Sequence, residues 1–401
     1  MTVTRAFAIA AVATALTPIA TVAVVSTGEP AALLVFPYVT VNNSAGTDTQ
    51  IQVTNTDPAA VAVRCQYATA SARPGLTSFV VHLAADQPVA WSARSGLDAV
   101  PVSGDKIPGL GAGPWTGVLR CLASNADGTP SDRNILIGGA TVMSGGAQAA
   151  AVDSLQYSAT GFDALPGASN GDDQLMLGGS DAEYAACPAS LVVQSFLDGA
   201  VLDLGAGGSV ARQVTTTLAV ATCAHTSAND AGASVDFALT NEFGQQFAAA
   251  RTLGEQLVVR LSNIDTDDPS KSIFSVGALG SLTGTIRITP RSRSSGVLAL
   301  AIQAQSDPGT GLRSYQDALS PQLDGELAGP DVVDLRLPTA PTCAGDCNAN
   351  GTVSINELVI GVAIALGNQP VSACPAFDAN NDQHVTISEL VTAVNNALNG
   401  C

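Results

Sequence analysis

The run Asp346 to Glu357 reads Asp-Cys-Asn-Ala-Asn-Gly-Thr-Val-Ser-Ile-Asn-Glu, and it returns 32 residues later, from Asp378 to Glu389, as Asp-Ala-Asn-Asn-Asp-Gln-His-Val-Thr-Ile-Ser-Glu. Both copies follow the twelve-residue calcium-loop pattern D-x-[DN]-x-[DN]-G-x5-E, except that Gln383 stands where the second loop wants glycine. Calcium is a hard cation that takes six to eight oxygens in flexible geometry. The first loop offers Asp346, Asn348 and Asn350 at positions 1, 3 and 5, the carbonyl of Thr352, then Ser354 and a bidentate Glu357. In the same roles the second offers Asp378, Asn380, Asp382, the carbonyl of His384, Thr386 and Glu389. Two bound calcium ions are expected, the second in a loop strained by a positive φ at Gln383.

Each loop runs into an apolar pattern. Leu358, Val359, Val362, Ala365 and Leu366 align with Leu390, Val391, Val394, Ala397 and Leu398 at the same offset. The spacing places each set on one helical face, and the two faces are expected to pack together. Gly367 and Asn399-Gly400 are the expected stops. Two loop–helix units without the helix that precedes a standard EF-hand loop resemble the type I dockerin module, over Cys343 to Cys401. The resemblance implies a duplicated calcium loop–helix fold, calcium-dependent folding, and docking to a cohesin-like or other extracellular protein. Dockerins usually close the loop with aspartate, where this chain has Glu357 and Glu389. They often carry small polar residues at positions 10 and 11, where it has Ile355-Asn356 and Ile387-Ser388. Isoleucine at position 10 is expected in the core.

Residues 1–28 read as a secretory leader. Arg5 is the only charge, Ala6 to Val25 is apolar, and small residues between Ala20 and Ser26 permit cleavage. With the leader removed, no span is expected to remain in a membrane. Eight cysteines, an even number, suit export to an oxidising extracellular compartment. The formal charge of −18, from 34 acidic and 16 basic residues, argues against nucleic acid or an anionic membrane as partner.

Between leader and loops the chain reads as β. Runs rich in Val, Ile, Leu, Thr and Phe recur between Gly, Asn, Asp and Pro clusters: 33–41, 49–54, 62–67, 78–83, 117–122, 134–143, 191–197, 214–221, 234–240, 256–261, 283–289 and 296–303. Gln50-Ile51-Gln52-Val53 alternates as a half-buried strand should. The stretch is long for one sandwich and comfortable for two. Three short matches recur in order: Leu33–Phe36 with Leu191–Val193, Val53–Asn55 with Leu239–Asn241, and Thr116–Arg120 with Thr283–Arg287. They suggest duplication, without deciding it.

The expected architecture is therefore mainly β. Two tandem Ig-like β-sandwich domains, 29–175 and 176–337, are followed by a Pro/Thr linker, 338–342, and the small helical calcium module, 343–401. One disulfide is expected in each sandwich, Cys65–Cys121 and Cys187–Cys223. The pairing of Cys343, Cys347, Cys374 and Cys401 stays open among three connectivities.

The search for catalytic machinery is short. His82 falls in a strand, His225 in a polar loop, and His384 in a calcium loop. Gly167-Ala168-Ser169-Asn170-Gly171 matches G-x-S-x-G but lacks the flanking strand and helix. Asp172-Asp173 and the trio Asp265, Asp267, Asp268 read as acidic surface loops. The reading is a secreted calcium-binding protein whose end module attaches it to another protein. An extracellular hydrolase tethered by that module and a structural envelope or matrix protein are the rivals.

Overall fold

The computed structural model describes residues 25–68, 78–125, 128–145, 153–203, 211–223, 233–291, 296–309, 313–319, 322–323, 327–334, 344–347, 353–377 and 385–399. Every expected strand is present within a few residues. Leu33–Val41 and Ser78–Leu83 appear with the expected bounds, and Gly117–Leu122 lengthens to Trp115–Ser124.

The larger part of the chain forms four principal antiparallel sheets arranged like the blades of a four-bladed propeller, which corrects the expectation of two tandem Ig-like sandwiches. A six-stranded sheet joins Val25–Ser26, Thr160–Phe162, Leu33–Val41, Trp115–Ser124, Val61–Ala68 and Ser78–Leu83, in that order. The sheet of Pro88–Ser92, Thr47–Asn55, Leu136–Ser144 and Asp153–Ser158 lies against it. From the second half come a sheet built on Ala233–Asn241, Thr283–Pro290 and Leu191–Phe196, and another built on Ala211–Thr222 and Val297–Ser306.

The sandwich picture fails because it gives each sheet one solvated face. The six-stranded sheet has none to spare. Along Leu33–Val41, Leu34 and Phe36 enter one core while Leu33 and Val35 enter another. Trp115–Ser124 splits likewise, with Leu119 and Cys121 on one side and Val118 and Leu122 on the other. Strands buried on both faces read as continuous apolar runs, as Leu33-Leu34-Val35-Phe36 does. Pro37 is tolerated there because the pairing with Trp115–Ser124 shifts register between Phe36 and Val39.

The second of these cores joins the two halves. It holds Leu33, Val35, Leu122 and Phe162 from the first half with Cys187, Ala221, Leu298 and Val333 from the second. Gln174–Leu177 pairs with Asp331–Asp334, tying the middle of the chain to the end of the β region. The expected division at 175/176 thus runs through a shared core. Two of the three repeat matches do occupy equivalent places: Val35 pairs with Arg120, and Val192 with Arg287. The third does not, since Thr47–Asn55 and Ala233–Asn241 sit in differently ordered sheets.

Both expected β-region disulfides form, Cys65–Cys121 between paired strands and Cys187–Cys223 within the shared core. The last residues of the expected leader, 1–28, take part in the fold. Val25 and Ser26 already pair with Phe162 and Gly161, and Val25 is buried. The expected linker, 338–342, lies outside the described residues.

Candidate calcium module

Of the expected ligands, Asp346, Ser354, Glu357, Thr386 and Glu389 are described. Asn348, Asn350, Thr352, Asp378, Asn380, Asp382 and His384 lie outside the described residues, as do Cys343 and Cys401. The helices appear as expected, over Ile355–Ala365 and Ile387–Asn399.

Both begin in the same way. Ser354 caps the first helix and accepts from the Glu357 amide, while Glu357 Oε2 accepts from Ser354 N at 2.8 Å and Ser354 Oγ at 2.8 Å. This reciprocal arrangement is a capping box. In the second helix Glu389 Oε2 accepts from Thr386 N at 2.8 Å and Thr386 Oγ1 at 2.9 Å. Positions 9 and 12 of the two loops therefore carry matching local geometry. In the first loop Glu357 Oε1 also accepts from Cys347 N at 3.0 Å. The carboxylate that ends the loop is thereby held beside Asp346, which begins it.

Asp346, Glu357 and Glu389 are all buried, and residues 343–401 contain five carboxylates and no lysine or arginine. Oxygen donors in a segment without lysine or arginine are the ligand type that calcium takes, while among the described residues no group of three or more His, Cys, Asp or Glu side chains is placed to hold a metal ion. The lack of basic residues is legible in the sequence and adds to the loop pattern.

Behind the loops, the packing departs from expectation. The contact between the helices is made by Leu358, Ile364, Leu390 and Ala393, together with Phe377 and Cys374. Phe377 packs against Gly361, where an added Cβ would come within 2.2–2.6 Å of three atoms along one side of its ring. The sites exchange roles across the repeat. Gly345, the counterpart of Phe377, faces Ala393, the counterpart of Gly361. Gly361→Ala is accordingly expected to cost about 1–3 kcal/mol as overpacking, read as a lower midpoint in the helical circular-dichroism melt.

The stripe expected to be buried is largely solvent-facing. Val359, Val362 and Leu366 are exposed, as are Val391, Val394 and Leu398; of the expected set only Leu358, Leu390 and Ala397 are partly covered. Ile355 and Ile387, expected in the core, are 78% and 80% exposed. The result is two congruent rows, Ile355-Val359-Val362-Leu366 and Ile387-Val391-Val394-Leu398. They supply as many exposed large apolar side chains as the rest of the described residues together. Gly367, at φ +73°, ends the first helix as expected.

Two links join the loops from outside the helices. Cys347 is bonded to Cys374, which removes two of the four module cysteines from the open pairing question. Gly345 N donates to Ala376 O at 3.1 Å.

Elsewhere the candidate residues have structural roles. Asp105 accepts from the His82 amide at 2.7 Å and lies 3.0 Å from its ring Nδ1. Those contacts hold the Asp105 carboxyl below the usual range against the opposing pull of desolvation. Ser169 sits in a loop closed by Glu183, whose Oε1 accepts from Asn170 N at 2.8 Å. Asp173 pairs with Arg64 at 2.6 Å, and Asp172 accepts from Gln174 N. Asp265 accepts from Ser272 and Ile273, and Asp268 from Ser270. His225 lies outside the described residues. Among the described residues no helix is long and apolar enough to cross a membrane.

No family model matches the chain, and no curated protein matches it. A solved structure titled "Crystal Structure of Thermotoga maritima 1070" aligns with 32% of this chain and 93% of its own, at 10% identity and a TM-score of 0.22. That likeness is too slight to carry an argument.

Proposed function

We propose that this chain is an exported attachment protein, whose dockerin-like end module folds around two calcium ions and docks on another extracellular protein. The observation that carries the reading is the pair of congruent apolar rows on the module helices. Exposed apolar area of this density on a small unit is costly unless something covers it. Neither row includes a charged residue, and the only charged side chains on the helices, Glu357 and Glu389, are buried at the loops. The partner surface is therefore apolar and neutral. A second copy of a chain carrying −18 is disfavoured by its own charge. Calcium would be held by the two ligand sets named above.

The test uses the whole protein. Calcium is expected to raise the helical melting midpoint and EDTA to lower it; an unchanged melt would end the calcium reading. Val359→Asp combined with Val391→Asp leaves the loops and the helix–helix contact in place. These substitutions are expected to abolish calcium-dependent capture of a protein from the native extracellular fraction. A captured set that is the same for wild type and variant would remove the docking reading while sparing the calcium one.

A further inference from the structure

We infer that the leader is cleaved between Ala23 and Val24, an inference that rests on the export reading above. Leader peptidases require small residues just before the cut, in an A-x-A-like arrangement. Three bonds in this stretch meet that need loosely: after Ala23, with Thr21 two residues before it; after Ser26, with Val24; and after Gly28, with Ser26. Sequence alone does not separate them.

The fold does. Val25 and Ser26 form the edge strand of the six-stranded sheet, with Val25 opposite Phe162 and Ser26 opposite Gly161. Val25 is buried in the core that joins the two halves, beside Leu33, Val35 and Phe162. Ser26 Oγ accepts from Glu29 N at 3.2 Å, shaping the turn that leads towards Leu33. Cleavage after Ser26 or Gly28 would discard this strand, strip a side chain from the shared core and leave Thr160–Phe162 as a bare sheet edge. Exposed edges of that kind invite pairing with other chains. Cleavage after Ala23 keeps both described residues of the strand, Val25 and Ser26. Of the three bonds, this one alone meets the peptidase's need and keeps Val25 and Ser26.

The experiment is intact mass and N-terminal sequencing of the protein exported from a secreting host with its own leader. The expected first residue is Val24. A first residue of Thr27 or Glu29 overturns the assignment while leaving export intact. An uncleaved chain overturns the leader reading itself, and the assignment with it. Two shortened chains made without the leader, one starting at Val24 and one at Thr27, test the structural half. The Thr27 chain is expected to melt a few degrees lower and to aggregate more readily; equal melting overturns the argument. Ala23→Phe is expected to block processing at this bond, and normal processing of that variant would also overturn it.

Discussion

Glu255→Ala is expected to destabilise the protein by about 3–5 kcal/mol, the range for stranding a buried charge. Arg120 is completely buried on Trp115–Ser124, in the seam between the two halves. Its Nη2 donates to Glu255 Oε2 at 3.3 Å and to the carbonyl of Thr222 at 3.2 Å. Its Nε and Nη1 have no hydrogen-bond partner among the described residues. Glu255 therefore supplies the guanidinium's ion pair, and the low polarity around it makes loss of the carboxylate costly. Since domains commonly hold only about 5–15 kcal/mol in total, this is a large share. The double variant Arg120→Leu with Glu255→Leu is expected to recover most of the loss, because removing both charges also removes both desolvation costs. Urea midpoints of wild type, single and double variants make the comparison. A single variant within about 1 kcal/mol of wild type would mean that water reaches the seam.

The second large effect is pH-dependent. Asp331 is buried, with Oδ2 accepting from Gly296 N at 2.9 Å and Oδ1 without a hydrogen-bond partner among the described residues. Desolvation raises its pKa from 3.8 to about 7, against the smaller lowering from the Gly296 bond. The folded protein therefore keeps this proton through a range in which the unfolded chain has released it. Stability contributed by the neutral carboxyl is complete below about pH 4, falls as pH rises towards 7, and is gone above it. A shift of roughly three units corresponds to about 4 kcal/mol. Asp331→Asn keeps an acceptor for Gly296 and carries no charge. It is expected to match wild type near pH 4 and to exceed it by up to about 4 kcal/mol at pH 8. Parallel stability–pH curves for the two proteins would refute the assignment.

How much of this was legible depended on distance along the chain. Strands such as Leu33–Val41 and Ser78–Leu83 announce themselves through apolar and β-branched runs between turn residues, a local signal. The grouping of sheets is not local. Nothing near Gln174–Leu177 identifies Asp331–Asp334 as its partner, and nothing near Arg120 points to Glu255. The module helices show a subtler failure. Leu358 and Val359 are both apolar, as are Ile360, Val362 and Ile364, so the first helix is apolar nearly all round and periodicity cannot choose its inner face. The choice falls to Gly361 and Ala393, whose small size admits Phe377 and the neighbouring turn. Small residues at matched positions were the available clue. The calcium ligands read clearly as a pattern, and the joining of the two loops through Cys347–Cys374 did not, because four cysteines admit three pairings.

The pairing of Asp331–Asp334 with Gln174–Leu177 has a mechanical side. Among the described residues, a pull from the C-terminal side meets the β body first at Asp334. Asp334 lies opposite Gln174 and Asp331 opposite Leu177. Force applied there opens the ladder rung by rung from its outer end, as a zip opens, and does not load all its rungs together. The give is short, because Ala328 N is hydrogen-bonded to the carbonyl of Cys187, one half of a disulfide, just behind it. Under tension, this end of the body would thus yield by a few residues and then hold.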